Sequence, residues 1–347
     1  MKNYIKKYRT LDARGLQAVK ENISALQKIG AYPSKFDYPI TLQFELTGQC
    51  NLKCKHCYNR SGDADRKTLM TPEKWCELAH QIVRDGGIFQ CIISGGEPLL
   101  LGDKLFDIMD ILHDDGTSFV VITNSLLLTP EKVRRFAKYR YFWFQISIDG
   151  STAAIHDSFR GVEGSFDKAV RGALEISNAG LPLVIAHSVT PQNINYLEDM
   201  IDLSYKLGAN SIIIGDIMAS GRAFEHTDII LNDEQKNFLY QQIEELGKKY
   251  QGKIKIQRSA ELKMQLEKYS IEVNAGGIIR PNGDFRIDCM APFVIGNVLE
   301  NSIKDIWTSK GANAWQSEAV QKYIASIDED SQLSDEIQNH VDIDIAL

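Results

Sequence analysis

Three cysteines stand close together in the first sixth of the chain, in the run Cys50-Asn-Leu-Lys-Cys54-Lys-His-Cys57. Cysteine thiolates are the usual protein ligands of iron–sulfur clusters, and a [4Fe–4S] cluster that only transfers electrons normally has four of them. Three thiolates leave one iron of such a cube without a protein ligand, and that iron can bind a substrate or a cofactor. The spacing therefore predicts a [4Fe–4S] cluster that takes part in redox catalysis.

A zinc site and unrelated free thiols are the alternative interpretations of these cysteines. A structural zinc site needs four ligands, typically in two close pairs, but the other cysteines, Cys76, Cys91 and Cys289, are scattered along the chain. A disulfide framework is disfavoured because such frameworks belong to small secreted domains, and this chain has 347 residues. The cluster fits the spacing better than these alternatives.

A second motif, Gly95-Gly96-Glu97-Pro98, follows a short apolar run that begins at Cys91. Two adjacent glycines let the backbone approach a ligand closely and adopt positive φ, and the proline stiffens the exit from the turn. An ordinary turn from strand to helix would have the same composition. The motif indicates a ligand-binding loop only in combination with the three cysteines that precede it.

Alternating elements would position these motifs. Short apolar, β-branched runs predict strands, and the amphipathic stretches between them predict helices. Thr71-Pro72-Glu73 and Thr129-Pro130-Glu131 each place a capping hydroxyl before a proline, which is typical of a helix start. The predicted strands are 41–47, 89–94, 119–123, 142–148, 183–189 and 211–217, and the predicted helices are 72–85, 103–114, 130–138, 166–179 and 195–207.

Six strand–helix units predict an α/β fold with a parallel sheet and right-handed crossovers. We interpret the pattern as a partial (β/α)6 barrel of the TIM type. Active sites in such barrels collect at the carboxyl ends of the strands. Cys50, Gly95, Asn124, Asp149 and Asp216 all lie at or just past predicted strand ends, so we expect them near one site.

Together, the cysteine run, with the aromatic residue His56 before its last cysteine, and the Gly-Gly-Glu-Pro motif resemble the radical S-adenosylmethionine (SAM) superfamily. The resemblance covers roughly residues 40–310. It implies that a [4Fe–4S] cluster cleaves SAM reductively to a 5′-deoxyadenosyl radical, which abstracts hydrogen from a substrate. It also implies an external electron donor such as a flavodoxin or ferredoxin. Gly95 and Gly96 would bind the amino group of SAM through backbone carbonyls, with Glu97 nearby.

Polar residues after later strands are candidates for further SAM contacts. Asn124 follows the third strand, and Ser147 and Asp149, two residues apart, share one face of the fourth. Hydroxyl and carboxylate groups suit ribose hydroxyls, which both donate and accept. Asp149 could instead face the substrate or form an Asx turn that ends the strand. Arg160 could pair with a carboxylate of SAM or substrate, and Ser188 is a further adenosine candidate.

The part of the chain from Asn274 onwards resembles a SPASM or twitch extension, a small α+β appendage that usually binds auxiliary clusters. The segment 281–284, Pro-Asn-Gly-Asp, predicts a hairpin turn in it. Val273 and Asn274, however, stand where the first cysteine is expected, and no cysteine follows Cys289. One thiolate cannot hold a cluster, so we predict a degenerate extension and one cluster per chain. Cys289 is then either a small buried residue or a catalytic hydrogen-atom donor to a substrate radical.

Composition and charge narrow the class of protein. The chain is 44% hydrophobic and 24% charged, as is ordinary for a globular protein. It has no apolar run near the length of a membrane span and no signal peptide. A net charge of −7 is not typical of a protein that binds nucleic acid, since such proteins usually carry a basic surface. We therefore expect a cytoplasmic protein with neither nucleic acid nor membrane as a partner.

Four segments are predicted: a helical lead-in at 1–38, the partial barrel at 39–252, the degenerate extension at 253–320 and an acidic tail at 321–347. From Asp328 the tail has seven acidic residues and no lysine or arginine, which is typical of a solvated end.

The segment 156–166, expected to be a loop before the fourth helix, resembles peptide-modifying members of the superfamily. The favoured substrate is therefore a ribosomally made peptide that undergoes epimerisation or crosslinking. The alternatives are a radical SAM enzyme acting on a small molecule (a sugar, nucleoside or alcohol) and a non-catalytic iron–sulfur or peptide-binding protein. Asp216 and Arg222, after the sixth strand, are expected to reach the cavity.

Overall fold

One mostly parallel sheet of eleven strands organises the computed structural model, which describes residues 13–63, 68–259, 262–327 and 343–344. The strands are β1 Thr41–Glu45, β2 Gln90–Ser94, β3 Ser118–Thr123, β4 Tyr141–Ser147, β5 Leu183–Val189, β6 Ser211–Asp216, β7 Lys255–Arg258, β8 Gly276–Ile279, β9 Asp284–Arg286, β10 Phe293–Asn297 and β11 Ile343–Asp344.

Helices follow the strands of the first two thirds of the chain in regular alternation, and more helices lie in the C-terminal third. The α-helices of the described ranges are α1 Ala13–Lys28, α2 Pro72–Arg84, α3 Lys104–Asp114, α4 Pro130–Phe136, α5 Ala153–Arg160, α6 Ser165–Asn178, α7 Leu197–Lys206, α8 Asp233–Lys249, α9 Leu262–Ile271, α10 Ile303–Ser309 and α11 Glu318–Ser326. None of them combines the length and hydrophobicity of a membrane span.

The parallel strands lie in the order β1 to β7, and β1 pairs on its other side with β8. The sheet therefore stays open instead of joining β7 to β8, which confirms the predicted partial barrel. Strand β7 pairs in parallel with β6 although it lies beyond residue 252, so the sheet continues past that predicted boundary. The division into four segments stays a prediction, and residues 1–12 and most of the acidic tail lie outside the described residues.

The predicted helix starts are confirmed by their caps. The Thr71 and Thr129 hydroxyls accept hydrogen bonds from backbone N–H groups of the first turns of α2 and α4. The loop expected at 156–166 is wrong in its first half, because α5 runs to Arg160 and buries His156, Phe159 and Arg160. A sequence pattern recognises a helix by its apolar face. The buried face of α5 mixes polar and apolar residues, so the pattern does not indicate a helix there.

The two faces of the barrel sheet differ in burial, because successive side chains of a strand point to opposite faces. One face packs against the helices through fully buried side chains such as Phe44, Phe119 and Phe144. On the other face, polar residues such as Gln43, Ser147 and Ser188 remain partly exposed, and so do apolar residues such as Ile92, Ile122 and Ile213. This inner face is therefore less completely buried than the face that packs against the helices.

The extension forms an antiparallel hairpin of β8 and β9, in which Ile278 faces Arg286. Gly283 in the turn has φ of +91°, a conformation that favours glycine, which confirms the predicted hairpin. Strand β10 pairs antiparallel with β9, and β11 from the C-terminal segment adds in parallel to β10. The extension therefore continues the barrel sheet through β8 without a break.

Candidate iron–sulfur site

The three cysteines lie on the loop that follows β1, at the carboxyl end of the strands. Cys54 is buried, whereas Cys50 and Cys57 are half-buried. Each sulfur accepts a hydrogen bond from a different residue. The pairs are Asn124 Nδ2 to Cys50 Sγ (3.9 Å), Arg160 Nη1 to Cys54 Sγ (3.5 Å) and Ser61 N to Cys57 Sγ (3.4 Å).

The donor set fits a [4Fe–4S] cube better than a single metal ion. A tetrahedral zinc ion, with Zn–S distances of about 2.3 Å, needs its ligands to converge on one point. Among the described residues, no three His, Cys, Asp or Glu side chains converge in that way. In a cube each thiolate binds a different iron, so three thiols on one loop, each with its own hydrogen-bond donor, suit that group.

Arg222 holds the cysteine loop in place. Its Nε donates to the carbonyl of Cys54 at 2.9 Å, and its Nη1 donates to the Ser61 carbonyl at 3.1 Å and to Asp63 Oδ1 at 2.8 Å. The backbone N–H of Arg222 also donates to the Cys57 carbonyl at 3.0 Å. The expectation that Arg222 reaches the cavity is therefore wrong: its guanidinium binds the loop instead.

Gly95 and Gly96 let the loop after β2 approach the start of the cysteine loop. The N–H of Gly96 donates to the Thr47 carbonyl at 2.7 Å, and a Cβ on Gly96 would lie only 2.0 Å from the Gln49 carbonyl oxygen. Gly95 has φ of +138°. The glycines are thus required for the packing of two loops, and SAM binding by their carbonyls stays a prediction.

The Glu97 side chain is fully buried. Its carboxylate accepts from Thr123 Oγ1 at 2.7 Å, the Asn124 N–H at 2.8 Å and the Leu99 N–H at 3.0 Å. Burial raises the pKa of Glu97, and these hydrogen bonds oppose the rise. The structure gives Glu97 the role of tying the loops after β2 and β3 together, which places Asn124 next to Cys50.

Asp149 is enclosed by protein groups. Its carboxylate forms an ion pair with Arg160 and accepts the Ser188 N–H at 2.8 Å, while Asn193 Nδ2 bridges the carbonyls of Asp149 and Ser188. Burial raises the pKa of Asp149, but the charge of Arg160 prevails and holds it at about 2. The side chain has no exposed surface and orders the loops after β4 and β5. Its contact with SAM stays a prediction.

Ser147 and Ser188 are two candidate SAM contacts that remain partly exposed. Both lie on the inner face of the sheet, Ser147 beside Ala186 and Ser188 beside Gly215. Their contact with SAM stays a prediction.

Arg160 lies against Cys54 with most of its hydrogen bonds fixed. Its side chain is 9% exposed, Nη1 contacts Cys54 and Nη2 contacts Asp149. Burial opposes its charge, but Asp149 and Cys54 raise the pKa of Arg160 above its ordinary value. The buried Nε has no acceptor among the described residues. A cluster sulfide or a cofactor carboxylate would satisfy it.

Glu45, at the end of β1, is the residue of this region that the sequence interpretation missed. It accepts from Tyr58 Oη and Asn59 Nδ2, both at 3.1 Å, and lies 3.8 Å from Nε of Arg280 in the extension. The half-buried Cys289 is close enough for its pKa to be raised by burial and by the charges of Asp288 and Glu45. Its sulfur therefore keeps its hydrogen at neutral pH.

Comparison with family models identifies two regions. Residues 44–204 match the radical SAM superfamily, and residues 274–330 match SPASM, an iron–sulfur cluster-binding domain. The second match covers the segment that lacks the expected cysteines.

Curated relatives include maturases and a synthase. Mycofactocin maturase MftC of Mycolicibacterium smegmatis is 36% identical over 59% of this chain and 51% of its own length. AdoMet-dependent heme synthase of Methanosarcina barkeri is 27% identical over 78% of this chain and 82% of its own. The subtilosin biosynthesis protein AlbA of Bacillus subtilis is 28% identical over 82% and 63%. The chain thus spans about half the length of MftC.

Solved structures show the same fold. SuiB of Streptococcus suis bound to S-adenosylmethionine superimposes with a TM-score of 0.66 at 16% identity, covering 88% of this chain and 73% of SuiB. The anSMEcpe structure with AdoMet (SAM) and the Cp18Cys peptide gives 0.62 at 15% identity, covering 86% of each chain.

Proposed function

The chain belongs to the radical SAM superfamily, and on that premise we propose that it is an enzyme that modifies a ribosomally made peptide. One observation carries the proposal: three cysteine sulfurs at the carboxyl ends of parallel strands, each with its own hydrogen-bond donor. A protein that only needed the barrel as a scaffold would not require these donors.

The proposed site residues divide the work between them. Cys50, Cys54 and Cys57 would bind the [4Fe–4S] cluster, and Ser147 and Ser188 would orient SAM from the inner face of the sheet. When bound, the cluster and SAM supply a 5′-deoxyadenosyl radical that abstracts hydrogen from a substrate carbon. The barrel then has to position the substrate and exclude water. The electron would come from a flavodoxin or ferredoxin.

The peptide substrate is supported by what the relatives are named for. MftC is a maturase, AlbA serves biosynthesis of a bacteriocin, and SuiB has been solved with its precursor peptide SuiA. Epimerisation and crosslinking remain the proposed outcomes. For epimerisation, Cys289 is the proposed hydrogen-atom donor, because the residue is partly exposed and its raised pKa favours the thiol over the thiolate.

A small-molecule substrate is the second candidate. It is favoured by the match to the heme synthase, which extends over 82% of that enzyme, a larger share than the match to MftC covers. Under this proposal the site chemistry is the same and only the occupant of the cavity differs.

The first test asks for SAM cleavage. Anaerobically reconstituted protein with SAM and dithionite should form 5′-deoxyadenosine, and Cys54→Ala should abolish both the brown chromophore and this product. Cys76→Ala is the matched control, because Cys76 lies on α2, away from the cluster loop, and it should leave both unchanged. Product formation by Cys54→Ala, or colourless wild-type protein with zinc on its thiolates, would overturn the assignment.

The second test asks for the substrate. The enzyme is co-expressed with each short peptide encoded beside its gene, and the peptides are analysed by mass spectrometry in H2O and D2O. A mass change or deuterium incorporation supports the peptide proposal. Unchanged peptides, from an enzyme that still cleaves SAM, favour the small-molecule candidate.

A further inference from the structure

Arg160 is a buried cation in direct contact with one cluster ligand. Its Nη1 lies 3.5 Å from Cys54 Sγ, and its side chain is 9% exposed. Among the described residues that donate to these three sulfurs, it is the charged one, since the others are the Asn124 amide and the Ser61 backbone N–H. The three sulfurs therefore do not have equivalent surroundings.

The guanidinium is fixed from several sides. Asp149 pairs with Nη2, and Asp149 is itself held by the Ser188 N–H. The carbonyl of Arg160 accepts the Lys53 N–H from the cysteine loop at 3.3 Å. Because α5 ends at Arg160, the end of that helix and the cysteine loop hold the side chain and Cys54 in register.

The orientation of the ion pair decides its electrostatic effect. Cys54 contacts the guanidinium directly, whereas the Asp149 carboxylate contacts a different nitrogen of the same group. The positive end of the pair thus lies next to the sulfur. Screening by solvent is weak because both side chains are buried, so one unit charge has a larger effect here than at the surface.

Hydrogen bonds and charges around the thiolates help to set the reduction potential of an iron–sulfur cluster. Reduction adds a negative charge, which a neighbouring cation stabilises. Resting on the proposed function, we propose that Arg160 is a positioning residue that raises the reduction potential of the cluster through its contact with Cys54, with Asp149 keeping the guanidinium on the sulfur.

The experiment is a redox titration of the reconstituted holoenzyme without SAM, with the reduced cluster detected by electron paramagnetic resonance. Arg160→Gln should lower the equilibrium constant for one-electron reduction by about tenfold, which corresponds to 59 mV for a single electron. Arg160→Lys keeps the charge beside Cys54 and should stay within about threefold of the wild type, since the charge carries most of the effect.

Lys53→Gln is the matched control. It removes the same unit of charge from the cysteine loop, but the Lys53 side chain is 58% exposed and contacts Asp63 rather than a sulfur. The potential of this variant should equal that of the wild type, because solvent screens the charge.

The outcomes separate this inference from the proposed function. Wild-type protein without a cluster contradicts the proposed function itself. A wild-type cluster with an unchanged potential in Arg160→Gln, or an equal shift in Lys53→Gln, contradicts only the role of Arg160. If Arg160→Gln does not retain iron, Arg160→Lys decides: a potential near that of the wild type supports the role of charge, and a tenfold fall in the equilibrium constant overturns it.

Discussion

Replacing Arg222 with methionine tests whether the cysteine loop depends on a residue far from it in sequence. Methionine keeps much of the apolar volume of the side chain but cannot donate hydrogen bonds. The Arg222→Met variant loses the contacts to the Cys54 and Ser61 carbonyls and to Asp63 Oδ1. Two buried carbonyl groups are then left without these donors.

The magnitude follows from the kinds of bond that are lost. A hydrogen bond contributes about 1 kcal/mol net, and one that involves a charged group about 1.5–3 kcal/mol. All three lost bonds involve the charged guanidinium, which gives about 4.5 kcal/mol at the lower end of this range. Relaxation of the loop around methionine reduces the expected loss to about 3–4 kcal/mol.

The assay is denaturant unfolding of the metal-free protein, followed by iron loading of the same preparations. The midpoint should fall with little change in slope, and the variant should retain less iron because the loop no longer presents Cys54 correctly. Lys248→Met is the control: Lys248 pairs with Glu244, and both side chains are 74% exposed, so the midpoint of this variant should not change measurably.

A loss below about 1 kcal/mol, with normal iron retention, would refute this reasoning. It would mean that the loop keeps its conformation through its own backbone hydrogen bonds, and that the contacts of Arg222 follow from the loop instead of fixing it.

Three further predictions concern other parts of the site. Gly96→Ala should destabilise the protein by about 3 kcal/mol, because the added Cβ would lie 2.0 Å from the Gln49 carbonyl oxygen. The control is Gly247→Ala, in open space on α8, which should stabilise the protein by about 0.5–1 kcal/mol. Unfolding midpoints of the two variants test both expectations. Burial lowers the pKa of His156 to about 4, so the folded state favours the neutral imidazole. The contribution of His156 to stability should be complete above pH ~6.5 and should fall by up to about 3 kcal/mol towards pH 4. Unfolding curves at pH 7 and 4.5 should show that His156→Gln lacks this part of the loss in acid. If Cys289 donates hydrogen, Cys289→Ala should still form 5′-deoxyadenosine but lose deuterium incorporation from D2O into the peptide, and retained incorporation would contradict that role.

The regular part of the fold could be predicted because its signals are local. Strands β1 to β6 and helices α2, α3, α4, α6 and α7 each have their own apolar period or cap within a few residues, so the pattern alone places them. Helix α5 was missed because its buried face consists of His156, Phe159 and Arg160. Their burial depends on the cysteine loop and the loop after β4, which no local pattern reveals.

The sequence by itself predicted the cluster ligands, because Cys50, Cys54 and Cys57 lie close together in one short run of the chain. Only the tertiary structure decided what surrounds them. The carbonyl of Cys54 meets a guanidinium 168 residues away, and its sulfur meets another 106 residues away. The carboxylates of Glu97 and Asp149, which the sequence suggests as cofactor contacts, accept hydrogen bonds from protein groups. Which residues meet in this way is set by the order in which the strands pair. That order depends on the burial of the whole sheet and not on any single segment.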